Sequence, residues 1–185
     1  MVEKTDRVVL SWSSGKDSAW TLHALNQDPN YEVVALLTTF DETTQRVSMH
    51  GVRKELVLAQ ARALGIPLIE VMLPSTCPNY IYADIMHSAI AGISDNYDAS
   101  QMAFGDLYLE DIRQYRESRL AETAMTPVFP LWDKPTRALA YEMISAGQKA
   151  ILSCVNTEML GAAHAGLSFD EHFLANLPAE VDPCG

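Results

Sequence analysis

Val8-Val9-Leu10-Ser11-Trp12-Ser13-Ser14-Gly15-Lys16-Asp17-Ser18 runs from an apolar strand, through a Gly/Ser turn, into a helical pattern. Such a turn brings unpaired backbone N–H groups and the positive end of a helix dipole to one point, which makes an anion site. Ser13, Ser14 and Ser18 add hydroxyl donors, Gly15 lets the backbone come close, and Lys16 supplies a mobile positive charge. A phosphate group is the natural ligand. The pattern is not the Walker P-loop, because Ser11 stands four residues before Gly15 and Asp17 follows Lys16. Asp17 in the first helical turn suits the dipole and can face a metal ion held by phosphates. A turn built only to start a helix has no need of a lysine at its centre.

Outward from this loop, short apolar runs alternate with helical stretches. The spacing predicts strands over residues 7–12, 32–39, 67–73, 101–104, 128–131 and 150–155. Helices are predicted over 17–26, 52–64, 80–92, 109–124 and 136–146, the second carrying Val52, Leu56, Ala59 and Ala63 at helical spacing before Gly65-Ile66-Pro67. Strand–helix–strand repetition implies an α/β fold, a parallel sheet with helices on both faces. Ligands of such folds bind beyond the carboxyl ends of the strands, where strand order reverses. Residues 13–18, Thr38-Thr39-Phe40 and Gly105-Asp106 all stand at such ends. Pro127, Pro130 and Pro135 then interrupt the rhythm, so a domain over 1–126 and a smaller α/β part over 127–185 are expected.

The chain has 185 residues, 48% hydrophobic and 20% charged, with a net charge of −11. That suits one globular domain with a small appendage. No run approaches a membrane span, and the charged N-terminus lacks the apolar core of a signal peptide, so a cytoplasmic enzyme is expected. Nucleic-acid partners are disfavoured by the acidic balance, although Arg113, Arg116 and Arg119 cluster. Cys77, Cys154 and Cys184 form no CxxC pair, which argues against a zinc site or disulfide framework. The first two sit beside apolar segments and read as buried fillers, whereas Cys184 beside Pro183 and Gly185 reads as exposed. Oligomeric state is left open, a homodimer included.

Residues 104–117 form the second constellation. Gly105 permits a tight turn and sets Asp106 at the crevice; Glu110, Arg113 and Glu117 then share one helical face, with Arg116 close by. Spacing alone equally allows a solvated helix laced with ion pairs. His50, just before the second helix, reads either as an acid, base or substrate-orienting group or as a surface residue.

Residues 13–18 resemble the Ser-Gly-Gly-Lys-Asp-Ser loop of the PP-loop ATP pyrophosphatases, also called adenine nucleotide alpha-hydrolases, with Ser14 in place of the commoner second glycine. Within that group, Phe104-Gly105-Asp106, Leu109-Glu110-Asp111-Ile112-Arg113 and Tyr115-Arg116-Glu117 are similar to a hallmark of the diphthine–ammonia ligase family. Met49-His50-Gly51-Val52, Gly65-Ile66-Pro67-Leu68, Phe129-Pro130-Leu131-Trp132 and Asp182-Pro183-Cys184-Gly185 extend the resemblance along nearly the whole chain, closest to the short bacterial members. Family members continue past Asp-Pro-Cys-Gly with an acidic stretch containing Gly and His, so the smaller part is expected to be incomplete at its C-terminus.

The resemblance implies a Rossmann-like, HUP-type fold and cleavage of ATP between its alpha and beta phosphates. It implies amide formation: a carboxylate is adenylated, pyrophosphate leaves, and ammonia displaces AMP. Ser13, Ser14, Gly15, Lys16, Asp17 and Ser18 would hold the phosphates, with Thr38, Thr39, Phe40 and Gly105 completing the ATP site. Lys16, Asp17 and Asp106 would be catalytic, and Asp17 or Asp106 would hold Mg2+. His50, Asp106, Glu110, Arg113 and Arg116 would bind the acceptor. In archaea and eukaryotes that acceptor is diphthine, a modified histidine of translation elongation factor 2; in bacteria, which do not make it, it must be another carboxylate. The alternatives are a PP-loop enzyme acting on another small molecule or a tRNA base, and a non-catalytic ATP sensor like universal stress proteins.

Overall fold

Strand β1 (Asp6–Ser11) opens the computed structural model, which describes residues 5–185. The first four residues of the expected 1–126 domain, and with them most of the charged N-terminal stretch, lie outside the described residues. The chain forms two compact units, the first ending at Trp132 and the second spanning Asp133–Gly185.

In the first unit β1 is followed by α1 (Lys16–Gln27), β2 (Tyr31–Asp41), β3 (Arg46–Val47), α2 (Lys54–Leu64) and β4 (Leu68–Leu73). Then come α3 (Asn79–Tyr97), β5 (Gln101–Ala103), α4 (Glu110–Leu120) and β6 (Thr126–Val128). β2 takes β1 on one edge and β4 on the other, β1 also pairs β5, and β5 pairs β6, all parallel. Only the two-residue β3 is antiparallel, on the end of β2. The chain thus builds outward from β1 on one side through β2 and β4, then returns to build outward through β5 and β6. Strand order reverses between β1 and β5, which is where such folds bind ligands.

The sheet is buried on both faces because side chains alternate along each strand. Val8, Leu10, Leu36 and Ala103 pack with Leu22 and Leu25 of α1 and Val57 and Ala61 of α2. Their neighbours Val9, Ala35, Leu37 and Met102 pack on the opposite face with Ile90 and Ile93 of α3 and Leu120 of α4. The fold is therefore the expected α/β one, with helices on both faces of a parallel sheet.

Several expectations change in detail. The buried stripe of α2 is Val57 and Ala61, while Leu56 is 47% exposed. Gly92 lies inside α3, which runs on to Tyr97 and closes on Asp98 in the left-handed conformation. The last strand is Thr126–Val128, earlier than the predicted 128–131, with Pro127 inside it opposite Met102. Proline is tolerated there because β6 is an edge strand. Pro127 is thus part of the sheet, and the division between units falls after Trp132, beyond the expected 126/127 boundary.

The second unit contains α5 (Thr136–Ser145), a 3-10 turn (Ala162–His164) and α6 (Glu171–Ala175). α5 buries Leu139, Ala140 and Met143. The strand predicted over 150–155 is only an isolated bridge between Ile151 and Ser168, and Ile151 is exposed. Cys154 is accordingly exposed. Cys184 is buried, against expectation, because Asp182 folds the chain end onto the start of α5. Asp182 Oδ2 accepts from Thr136 Oγ1 at 2.7 Å and Oδ1 from the Cys184 N–H at 2.7 Å, while the Cys184 thiol donates to the Thr136 carbonyl at 3.4 Å. Among the described residues no helix is long and apolar enough to cross a membrane.

Candidate functional site

The loop between β1 and α1 is held from three sides. The Trp12 N–H donates to the Leu37 carbonyl at 2.8 Å, and the Trp12 carbonyl accepts from Thr38 Oγ1 at 2.6 Å. The Trp12 indole N–H donates to Gln60 Oε1 at 3.0 Å, and Gln60 Nε2 donates back to the Ser14 carbonyl at 3.5 Å. Gln60 of α2 thus ties the loop to the helix behind it, a role its sequence neighbourhood does not signal. Within the loop, the Gly15 N–H donates to Ser13 Oγ at 3.2 Å, Ser13 Oγ meets Ser18 Oγ at 3.2 Å, and Ser18 Oγ donates to the Gly15 carbonyl at 3.0 Å. The serines therefore shape the turn, and the N-cap residue of α1, Gly15, has no capping side chain of its own. Lys16 Nζ lies 3.0 Å from Asp17 Oδ2.

Ser14 has φ 70°, in the left-handed region. This is the position at which the related loops carry glycine, and a side chain there is strained by about 1–2 kcal/mol. Ser14→Gly is expected to leave the melting temperature unchanged or raise it slightly, relief of strain being offset by glycine's larger unfolded-state entropy. Ser14→Val, β-branched, is expected to lose about 2 kcal/mol in denaturant titrations. Equal stability of the two variants would show that the left-handed turn imposes no cost.

Across the strand-order reversal, Gly105 packs directly on α1. A Cβ added there would lie 3.0 Å from Thr21 Oγ1 and 3.1 Å from the Asp17 carbonyl carbon. That approach, more than a tight turn, is why glycine is needed. It sets Asp106 beside the start of α1. Asp106 Oδ2 is 3.4 Å from Arg116 Nε, and the Arg116 guanidinium lies 4.8 Å over the Phe104 ring. The Arg116 charge also acts on Tyr82 of α3. Burial pushes the Tyr82 phenol above its usual range despite the opposing pull of Arg116, so its O–H stays protonated at neutral pH.

A cavity of about 580 Å3 opens at this end of the sheet. It brings together Ser13, Asp17, Ser18, Thr38, Thr39, His50, Gly105, Asp106 and Arg116 among the sequence-derived candidates. Ser14, Gly15 and Lys16 belong to the loop at its edge without lining it. Phe40 does not line it either: its ring packs into the core on the α1/α2 face, where it is fully buried. Glu110 is exposed on α4 and accepts from Gln114 at 3.2 Å. Arg113 is taken up elsewhere: its guanidinium lies 5.0 Å over Phe129 and 4.7 Å over Trp132, and its Nε is 2.8 Å from Glu117. It braces the chain after β6 and does not face the cavity. Residues of α3, notably Tyr82, Met86 and Ile90, line the cavity without any sequence signal.

The arrangement fits a nucleoside triphosphate with a divalent cation. The start of α1, with glycine as its N-cap, stands at the cavity, and the volume is of the size that holds small ligands. Asp17 and Asp106 both line the cavity, and Mg2+ ordinarily takes one or two carboxylates with phosphate oxygens and water. Among the described residues no group of three or more His, Cys, Asp or Glu could hold a metal ion by itself.

Residues 6–126 match the family described as "Diphthamide synthase N-terminal domain". A search of curated proteins finds no match. Among solved structures, the chain is similar to the U34-tRNA thiolase NcsA from Methanococcus maripaludis with its [4Fe-4S] cluster. The two are 19% identical with a TM-score of 0.46, over 79% of this chain and 59% of that one. The chain thus spans under two thirds of that protein's length.

Proposed function

Since the chain belongs to the diphthamide synthase N-terminal domain family, we propose that this PP-loop protein is an ATP-dependent amide ligase that forms AMP and pyrophosphate. ATP supplies the adenylyl group: a carboxylate oxygen attacks the alpha phosphorus, the alpha–beta bond breaks, and pyrophosphate leaves with the electron pair. Ammonia then attacks the acyl carbon, AMP departs, and the nitrogen gives up a proton. The residues at the loop serve the first step. Backbone N–H groups of the α1 start and the Lys16 ammonium offset charge that develops on the phosphates. Asp17 and Asp106 would hold Mg2+, and Arg116 would position the acceptor carboxylate.

The observation that supports this reading is the meeting of the phosphate loop with the Asp106–Arg116 pair at one cavity. An anion loop alone would suit any nucleotide binder. A carboxylate and a guanidinium facing that loop supply a metal ligand and an acceptor anchor. The test is to incubate the protein with ATP, Mg2+, ammonium and a panel of carboxylates and to follow nucleotide products. AMP with pyrophosphate is expected. ADP with phosphate would overturn the alpha-phosphate assignment, and tight ATP binding without turnover would make the protein a nucleotide sensor.

A further inference from the structure

The cavity is larger than the crevice at the strand ends. It continues onto the α3/α4 face of the sheet, the face opposite α1, where Met86, Ile90, Met102 and Ile112 line it. Phosphates bound at the start of α1 would lie at the other end, beside Asp17 and Ser18. Between the two ends stands Arg116, paired with Asp106 on the loop side, and its charge acts on Tyr82 of α3 across the same cavity. The α3/α4 end is therefore a recess with an apolar wall of Met86, Ile90, Met102 and Ile112, a guanidinium and a phenol O–H at its mouth, and Arg119 and Glu122 also on its lining.

We propose that this recess is the acceptor subsite and that it selects a small monocarboxylate with an apolar body. The carboxylate would sit on Arg116 and Tyr82, facing the nucleotide, and the apolar body would lie against Met86 and Ile90. This rests on the amide-ligase reading and narrows it. Arg116 is suited to the task because its planar fork can keep Asp106 while offering donors to a second carboxylate. Tyr82, held protonated by burial, donates and does not repel. A second charge on the acceptor's body, set against Met86, Ile90, Met102 and Ile112, would carry a large desolvation cost unless it reached Arg119, which also lines the cavity.

The test measures binding by calorimetry to the protein with a non-hydrolysable ATP analogue and Mg2+, using propionate, butyrate, hexanoate, 3-phenylpropionate and glutamate. Affinity is expected to rise roughly fourfold per added CH2 along the aliphatic series, with glutamate much weaker. Ala83 of α3 also lines the cavity. Ala83→Leu fills the recess and is expected to lower 3-phenylpropionate affinity at least about tenfold, with binding of the ATP analogue unchanged. Affinity that is flat with chain length, or unaltered in Ala83→Leu, overturns the subsite. Pyrophosphate release driven only by polar or peptide-borne carboxylates overturns it while leaving the ligase reading intact. Chain-length-dependent binding without any AMP formation does the reverse.

Discussion

Lys16→Ala is expected to lower pyrophosphate release by about 10²–10³-fold, the usual cost of removing one preorganised donor from a developing oxyanion. The expectation follows from where the ammonium stands. Lys16 is the first residue of α1, and its side chain is only 16% exposed while held 3.0 Å from Asp17. Its charge is placed before substrate arrives, so little reorganisation accompanies the reaction. Stability should hardly change, because a partly exposed ion pair contributes about 0–1 kcal/mol. Lys16→Arg separates charge from shape. The guanidinium keeps the charge but is broader and planar, so an intermediate rate is expected. The checks are single-turnover AMP formation and thermal melting on the same preparations. An unchanged rate in Lys16→Ala would remove Lys16 from the mechanism; a lost rate with a collapsed melting transition would make its role structural.

Much of the nucleotide end was legible because its signals are local. Gly15, Lys16 and Asp17 follow a strand and open a helix, and that order alone places the turn between β1 and α1 at the strand end. Gly65 ended α2 where expected, with φ 68° and its N–H on the Arg62 carbonyl. Other features depended on pairing that no local pattern encodes. Pro127 reads as a boundary until the strand is known to lie at a sheet edge, where a missing N–H costs nothing. Residues 150–155 are as apolar as several true strands, yet their contact is one bridge, because strand formation needs a partner edge.

The α3/α4 end of the cavity was legible only in part, for a geometric reason. Arg113 and Arg116 are one helical turn apart and look equivalent in sequence. Packing separates them: Phe129 and Trp132 take the first, Asp106 and Tyr82 the second. Phe40 stands at a strand end but its large apolar ring is taken up by the core, which a strand-end position alone does not reveal. Thr38 lies on the same face of β2 as Phe40 and does reach the cavity, whereas the Phe40 ring is fully buried in the core with Val47 and Val57. Tyr82 had no signal at all, since its partner Arg116 lies in another helix.

Gly105→Val should be the most damaging change outside the phosphate loop. Gly105 has no left-handed φ, so a side chain is allowed by its own backbone, and the effect isolates packing. The added Cβ meets Thr21 Oγ1 at 3.0 Å and the Asp17 carbonyl at 3.1 and 3.2 Å. None of these can yield cheaply. Thr21 is fully buried and its hydroxyl is fixed on the Asp17 carbonyl at 2.7 Å, while Asp17 belongs to the first turn of α1. The loop carrying Asp106 must therefore move away, with valine's two methyls forcing it further than alanine's Cβ alone. Overpacking of this kind costs about 1–3 kcal/mol. A displacement near 1 Å between Asp106 and the loop should cost about 10²-fold in rate. Gly105→Ala should fall between valine and the parent in both melting temperature and kcat. Thr21→Ala beside Gly105→Ala should recover part of the stability, since it removes the closest contact, but little of the rate, since the Asp17 backbone remains in the way. If Gly105→Val kept both its melting temperature and its kcat, the close approach to α1 would not be what holds Asp106 in place.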